Sequence, residues 1–122
     1  MKKVFVLLFF LFGCSSVIKE KGIELRIINS SNSPISKVKF TTSESYTTLS
    51  FKKINPDEKV SEFLSMKKNV SDGNYNLEFF NFQNIKIRKN SGYYTNGSPS
   101  EKWIEFEIKK DTVVVSYSKI NY

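Results

Sequence analysis

The side chains of this chain that could do chemistry are few, and what is missing narrows them further. There is no histidine among the 122 residues, and Cys14 is the single cysteine. Serine–histidine–aspartate and cysteine–histidine catalysis are therefore excluded, as are zinc sites that need an imidazole. Carboxylates remain. Glu105 and Glu107 stand two apart, so on a strand they share one face, and carboxylates about 5 to 9.5 Å apart can hydrolyse a glycosidic bond when one of them has a raised pKa. However, Ile104, Phe106 and Ile108 alternate with them and make the natural core face, which turns both glutamates to solvent beside many lysines. Asp57, Glu58 and Asp72 fall in turn-like stretches, and nothing repeats in the manner of a calcium loop. There is no glycine-rich phosphate loop and no activated nucleophile in a recognisable setting. These absences predict a protein that is not an enzyme, with no catalytic residue, no metal site and no cofactor.

Aromatic residues, 15% of the chain, are the other resource. Phe40, Phe51, Tyr75, Phe79, Phe106 and Tyr117 fall on predicted inward positions. Phe80, Tyr93, Tyr94 and Trp103 lie off that register or in the polar stretch around 90–102, and they form the candidate binding surface. Flat rings with polar tips suit a protein interface or sugar stacking, because they offer large area at low entropic cost. The alternative is that this stretch folds back and tucks its rings against the end of the domain.

The elements that must position these residues are strands. From Gly22 onward apolar and polar residues alternate, with β-branched and aromatic types at the apolar positions and turn residues about every ten positions. Ile23, Leu25 and Ile27 open the pattern, and the polar run from Asn29 to Pro34 ends it as a loop. Val38 with Phe40, and Leu49 with Phe51, give the next two strands, and Asn55-Pro56-Asp57-Glu58 breaks the chain. Val60, Phe63 and Leu64 have the spacing of a short helix, but the strand neighbours favour a strand over 59–66. Asp72-Gly73 reads as a tight turn into Tyr75, Leu77 and Phe79, followed by Ile85 with Ile87 and a loop over 90–102. Ile104 to Ile108 and Val113 to Tyr117 read as a closing β-hairpin.

Seven or eight antiparallel strands with two apolar faces predict an all-β sandwich about 10 Å thick, a single domain over 22–122. The pattern resembles the immunoglobulin or fibronectin type III class, with a transthyretin-like arrangement as the alternative. It lacks the Cys…Trp…Cys spacing of true immunoglobulin domains, and the architecture implies no function.

The first residues read as an address. Lys2 and Lys3 precede an unbroken apolar run of nine residues, Val4 to Phe12, and Leu11-Phe12-Gly13-Cys14 sets a small residue before the cysteine. Nine apolar residues fall short of the roughly 20 needed to span a membrane, so 1–13 is predicted to be a cleaved signal peptide. The four residues resemble the lipobox of bacterial lipoproteins, with Phe12 bulkier than is usual there. The resemblance implies that Cys14 is acylated, becomes the new amino terminus and holds the protein to a membrane, with 14–21 as lipidated cysteine and short tether. It also implies the cell envelope, and Ser15 in place of a retention aspartate favours the outer membrane facing the periplasm.

Without 1–13, 109 residues remain, with 17 basic against 12 acidic side chains, or about +5. The lysines occur singly or in pairs, so the excess is spread along the sequence with no nucleic-acid-binding arm. The resulting expectation is a small lipid-anchored binding protein that engages an envelope protein as accessory subunit or as inhibitor or immunity-type factor. The alternative is a carbohydrate- or peptidoglycan-binding module using the four aromatic residues.

Overall fold

A computed structural model describes residues 20–118. The predicted signal peptide, Cys14 and most of the tether lie outside the described residues. The remainder is all-β, with no helix among the described residues and nine strands in two sheets. In chain order these are β1 (Gly22–Asn29), β2 (Ile35–Thr42), β3 (Thr48–Ile54), β4 (Lys59–Ser65), β5 (Gly73–Phe80), β6 (Lys86–Thr95), β7 (Ser98–Pro99), β8 (Trp103–Ile108) and β9 (Val113–Tyr117). Sheet I has the order β4-β1-β8-β9 and sheet II the order β3-β2-β5-β6-β7.

Alternation places the core. In β1 every second residue from Ile23 to Asn29 is buried, and in β8 Ile104, Phe106 and Ile108 are buried while Trp103, Glu105 and Glu107 face outward. Facing them from sheet II, Val38, Phe40, Tyr75, Leu77 and Phe79 complete one apolar layer. Phe40 is its centre, stacked on Tyr75 at 5.9 Å and edge-on to Phe106 at 5.8 Å between ring centroids. Contacts of this kind add to the area they remove from water.

Several expectations are corrected. The pairing is not wholly antiparallel, because β1 runs parallel to β8 from Glu24↔Trp103 to Asn29↔Ile108. Five intervening strands in sheet II make that possible, since β8 re-enters sheet I by a long crossover rather than a hairpin. The segment 59–66, by contrast, is the strand expected, over Lys59–Ser65, with Val60 and Leu64 turned inward and Phe63 outward at 44% exposure.

The stretch 90–102 is not simply a loop. Most of it belongs to β6 and β7, joined at Asn96-Gly97, both with positive φ. That is the backbone a two-residue hairpin turn requires. A bulge hid this strand from the alternation. Tyr75 pairs with Ser91 but Gly73 with Tyr94, so β6 carries one extra residue at Gly92 and Tyr93 and the pattern changes face. Asp72-Gly73 is not a hairpin turn either. Gly73 starts β5 with ordinary φ, and a Cβ there would lie 2.5 Å from the Tyr94 hydroxyl, so the glycine makes room for that ring.

Candidate functional site

The carboxylates are not gathered into a catalytic pair. Glu107 accepts a hydrogen bond from Ser30 Oγ at 2.8 Å, and Glu105 stands beside Arg26 in the β1–β8 register, both on the outer face of sheet I. Glu24 binds Arg26 Nε at 3.1 Å and Ser61 Oγ at 2.9 Å, and these bonds hold its carboxyl below the usual range. Glu101 differs. Burial pushes its carboxyl up, and its Oε1 has no hydrogen-bond partner among the described residues. The described residues hold no group of three or more possible metal ligands.

The four predicted binding aromatics are not brought together. Phe80 is half-buried on the outer face of sheet II, with the ammonium groups of Lys37 and Lys86 at 5.2 and 5.7 Å from its ring. Trp103 is half-buried on the outer face of sheet I beneath the guanidinium of Arg26, 4.3 Å away. Tyr93 is the open one, 53% exposed at the end where β1 begins.

Tyr94 is a correction, because it is fully buried. The β6 bulge turns it inward against Tyr75, at 5.5 Å between centroids, and its hydroxyl donates to Glu44 Oε1 at 2.9 Å. Glu44 also accepts from the backbone N–H groups of Val70 and Ser71 at 3.1 and 3.2 Å and from Asn69 Nδ2 at 3.1 Å. This polar knot ties the sandwich end beside the start of β1.

The opposite end is open. The loops 30–34, 81–85 and 109–112 surround a cleft of about 330 Å³ between the ends of the two sheets. Ile35, Phe79, Ile87, Ile108 and Val113 form its floor and walls, and Phe82, 67% exposed, stands at the rim. Lys109, Lys110 and Asp111 border it on the β8–β9 side. The apolar lining arises because the inward faces of five strands end there without a covering loop. Asn29 shapes the neighbouring turn: its Nδ2 donates to the carbonyls of Ser33 and Ile54 at 2.9 and 3.0 Å, so the chain stays clear of the opening.

Beside the cleft runs β9, the edge of sheet I. Its partner is β8, and no other described strand pairs with it. The ladder phase follows from its two ends, where Ser118 N–H donates to the Trp103 carbonyl at 3.2 Å and Lys109 N–H to the Thr112 carbonyl at 2.9 Å. In phase with these, Val114 and Ser116 bond to Glu107 and Glu105, so the N–H and C=O groups of Val113, Val115 and Tyr117 point away from β8.

The other long edges are defended. β3 carries Lys52 and Lys53, β4 carries Lys59 and Glu62, and β6 carries Lys86, Arg88 and Lys89. β9, Val-Val-Val-Ser-Tyr, has no charge and no proline. Charges and prolines are how edge strands normally avoid pairing with other chains, and their absence leaves a β-branched template. Sequence reasoning placed this strand as half of the closing hairpin, as the structure has it, but did not see that it lies at a sheet edge. The uncharged run of valines was the signal available.

Comparison with known proteins adds the fold alone. No family's sequence pattern matches the chain, and no curated protein matches it. Among solved structures it is similar to a protein from Eubacterium rectale determined by NMR, at 12% identity and a TM-score of 0.56, over 83% of this chain and 92% of that one.

Proposed function

We propose that this is a small, lipid-anchored, non-enzymatic binding protein of the bacterial cell envelope. It engages a protein partner, as accessory subunit or as inhibitor or immunity-type factor, by accepting an extended segment of that partner along β9. The observation that carries the reading is the uncharged free edge of β9, with the backbone groups of Val113, Val115 and Tyr117 directed outward. In strand addition, main-chain hydrogen bonds supply affinity and adjoining pockets select side chains. The apolar cleft beside Val113 is such a pocket, sized for one large apolar side chain of the incoming strand. Its position suits an anchored protein. β1 leads from the tether end toward the cleft, and its eight residues span about 26 Å, so the docking end faces away from the point of attachment. Acylation of Cys14 and an outer-membrane location facing the periplasm belong to the same proposal, resting on the resemblance of residues 11–14 to a lipobox. The carbohydrate alternative loses its platform, because of the four rings Tyr93 alone is open.

The test is site-specific photo-crosslinking in the native envelope from position 114 on β9 and position 82 at the cleft rim, with the exposed Tyr46 at the far end as control position. The proposal expects the same protein to be captured from 114 and 82, not from 46, and expects capture to be lost with Val115→Pro. Equal capture from all three positions, or none from 114, would overturn it.

A further inference from the structure

The basic residues, scattered in sequence, are gathered by the fold. The strands of sheet II contain seven lysines and arginines and one acid, Glu78, whereas those of sheet I contain two and four respectively. Lys89 of sheet II pairs with Leu77 on the inward side, which leaves Lys37, Lys39, Lys52, Lys53, Lys86 and Arg88 on the outer face. Glu78 is already engaged, with Arg88 at 3.1 Å and Lys86 at 3.8 Å. The excess on this one face therefore matches the excess of about five on the whole chain without its first 13 residues.

The arrangement has a cost that the fold bears. Like charges on adjacent strands repel. Lys37 is held at φ 49, in the left-handed region, where β2 carries an extra residue against β5. That backbone is unfavourable for a residue with a Cβ, and its effect is to turn Lys37 outward between Val38 and Ser36, over the ring of Phe80. The same bulge lets Ile35 and Val38, three positions apart, both face the core, whereas the repulsion among the lysines has no return in packing. Two open depressions lie on the face, of about 400 Å³ beside Lys37, Lys39 and Lys52 and about 300 Å³ between Lys39 and Arg88, so its cations are spread over several shallow sites that suit an array of anions.

We propose that the outer face of sheet II docks on anionic lipid headgroups, laying the domain flat on a bilayer. Phosphates would meet the six cations, with the Phe80 ring among them. Basic residues near such a surface each contribute a salt-sensitive attraction. The proposal is independent of strand addition, since β9 is in the other sheet and stays accessible at the side.

The test is an amine-acetylation footprint of the full chain in vesicles of phosphatidylcholine, with and without phosphatidylglycerol. Protection of Lys37, Lys39, Lys52, Lys53 and Lys86 is expected with phosphatidylglycerol present and is lost at high salt. Lys67, Lys109 and Lys110, away from this face, label equally in both vesicles. Lys39→Gln with Arg88→Gln, both exposed and free of core contacts, removes the protection while leaving the folded β-sheet circular dichroism unchanged. Equal labelling of both groups of lysines in both vesicles would overturn the proposal. So would the same footprint raised by soluble polyphosphate but not by vesicles, which would reassign the face to an anionic polymer. Crosslinking from position 114 is unaffected by either result, so failure here is distinguishable from failure of the strand-addition reading.

Discussion

The ladder phase of β9 can be tested by placing proline at two adjacent positions. Val115 directs its N–H away from β8, so Val115→Pro removes no hydrogen bond of the sheet; the loss is part of a half-buried side chain's packing, about 1 kcal/mol. Val114 bonds to Glu107, so Val114→Pro removes a ladder bond and drives the ring against β8, for about 3 kcal/mol or more. Both variants share the cost of proline's fixed φ, so their difference isolates the ladder. For a domain of this size 1 kcal/mol moves the melting temperature by about 4–8 °C, so the two should differ by roughly 10 °C. Thermal unfolding followed by circular dichroism reads this directly, with urea titration as a second measure. Equal destabilisation, or Val115→Pro being the worse, would refute the assigned phase and remove the outward donors on which strand addition depends.

Other outcomes follow from the same geometry. Gly97 has φ 75, and a Cβ there would lie 1.9 Å from the Asn69 carbonyl oxygen, so Gly97→Ala should cost about 2–3 kcal/mol in urea titration and loosen the turn that places Tyr94. Burial disfavours ionised Glu44, but the bonds from Val70, Tyr94, Asn69 and Ser71 outweigh it and hold its folded pKa below the usual value. The stability this supplies is full above the unfolded carboxylate pKa of about 4.3 and is lost as pH falls through the lower folded value. Melting temperature measured from pH 7 to pH 3 should fall less steeply at the acid end for Glu44→Gln than for the parent. Intact mass of the membrane-extracted protein should equal residues 14–122 plus lipid, and Cys14→Ala should lose that species.

Much of the fold was legible because alternation is a strong signal where one strand face is buried and the other wet. β1, β5 and β8 follow this rule without a break, and their inward residues are the core. The sheet order was not legible. Alternation says which face is buried but not which strand lies beside it, and the parallel β1–β8 pair is made by residues about 80 positions apart. β6 was obscured by one extra residue at the bulge, which also turned Tyr94 from an apparent surface aromatic into a core residue. The Asn96-Gly97 dipeptide was the local evidence of a hairpin there. The cleft and the basic face could not be read from spacing, because each gathers residues from four or more segments. The bareness of β9 was in view as three consecutive valines, but its meaning required knowing that it lies at an edge.

Residue-resolved amide hydrogen exchange, on the protein alone and then with the partner captured from positions 114 and 82, tests strand addition most directly. The account predicts fast exchange at Val113, Val115 and Tyr117 and slow exchange at Val114 and Ser116 in the free protein, with the first three becoming protected in the complex. Unchanged exchange at all three in the complex would contradict it.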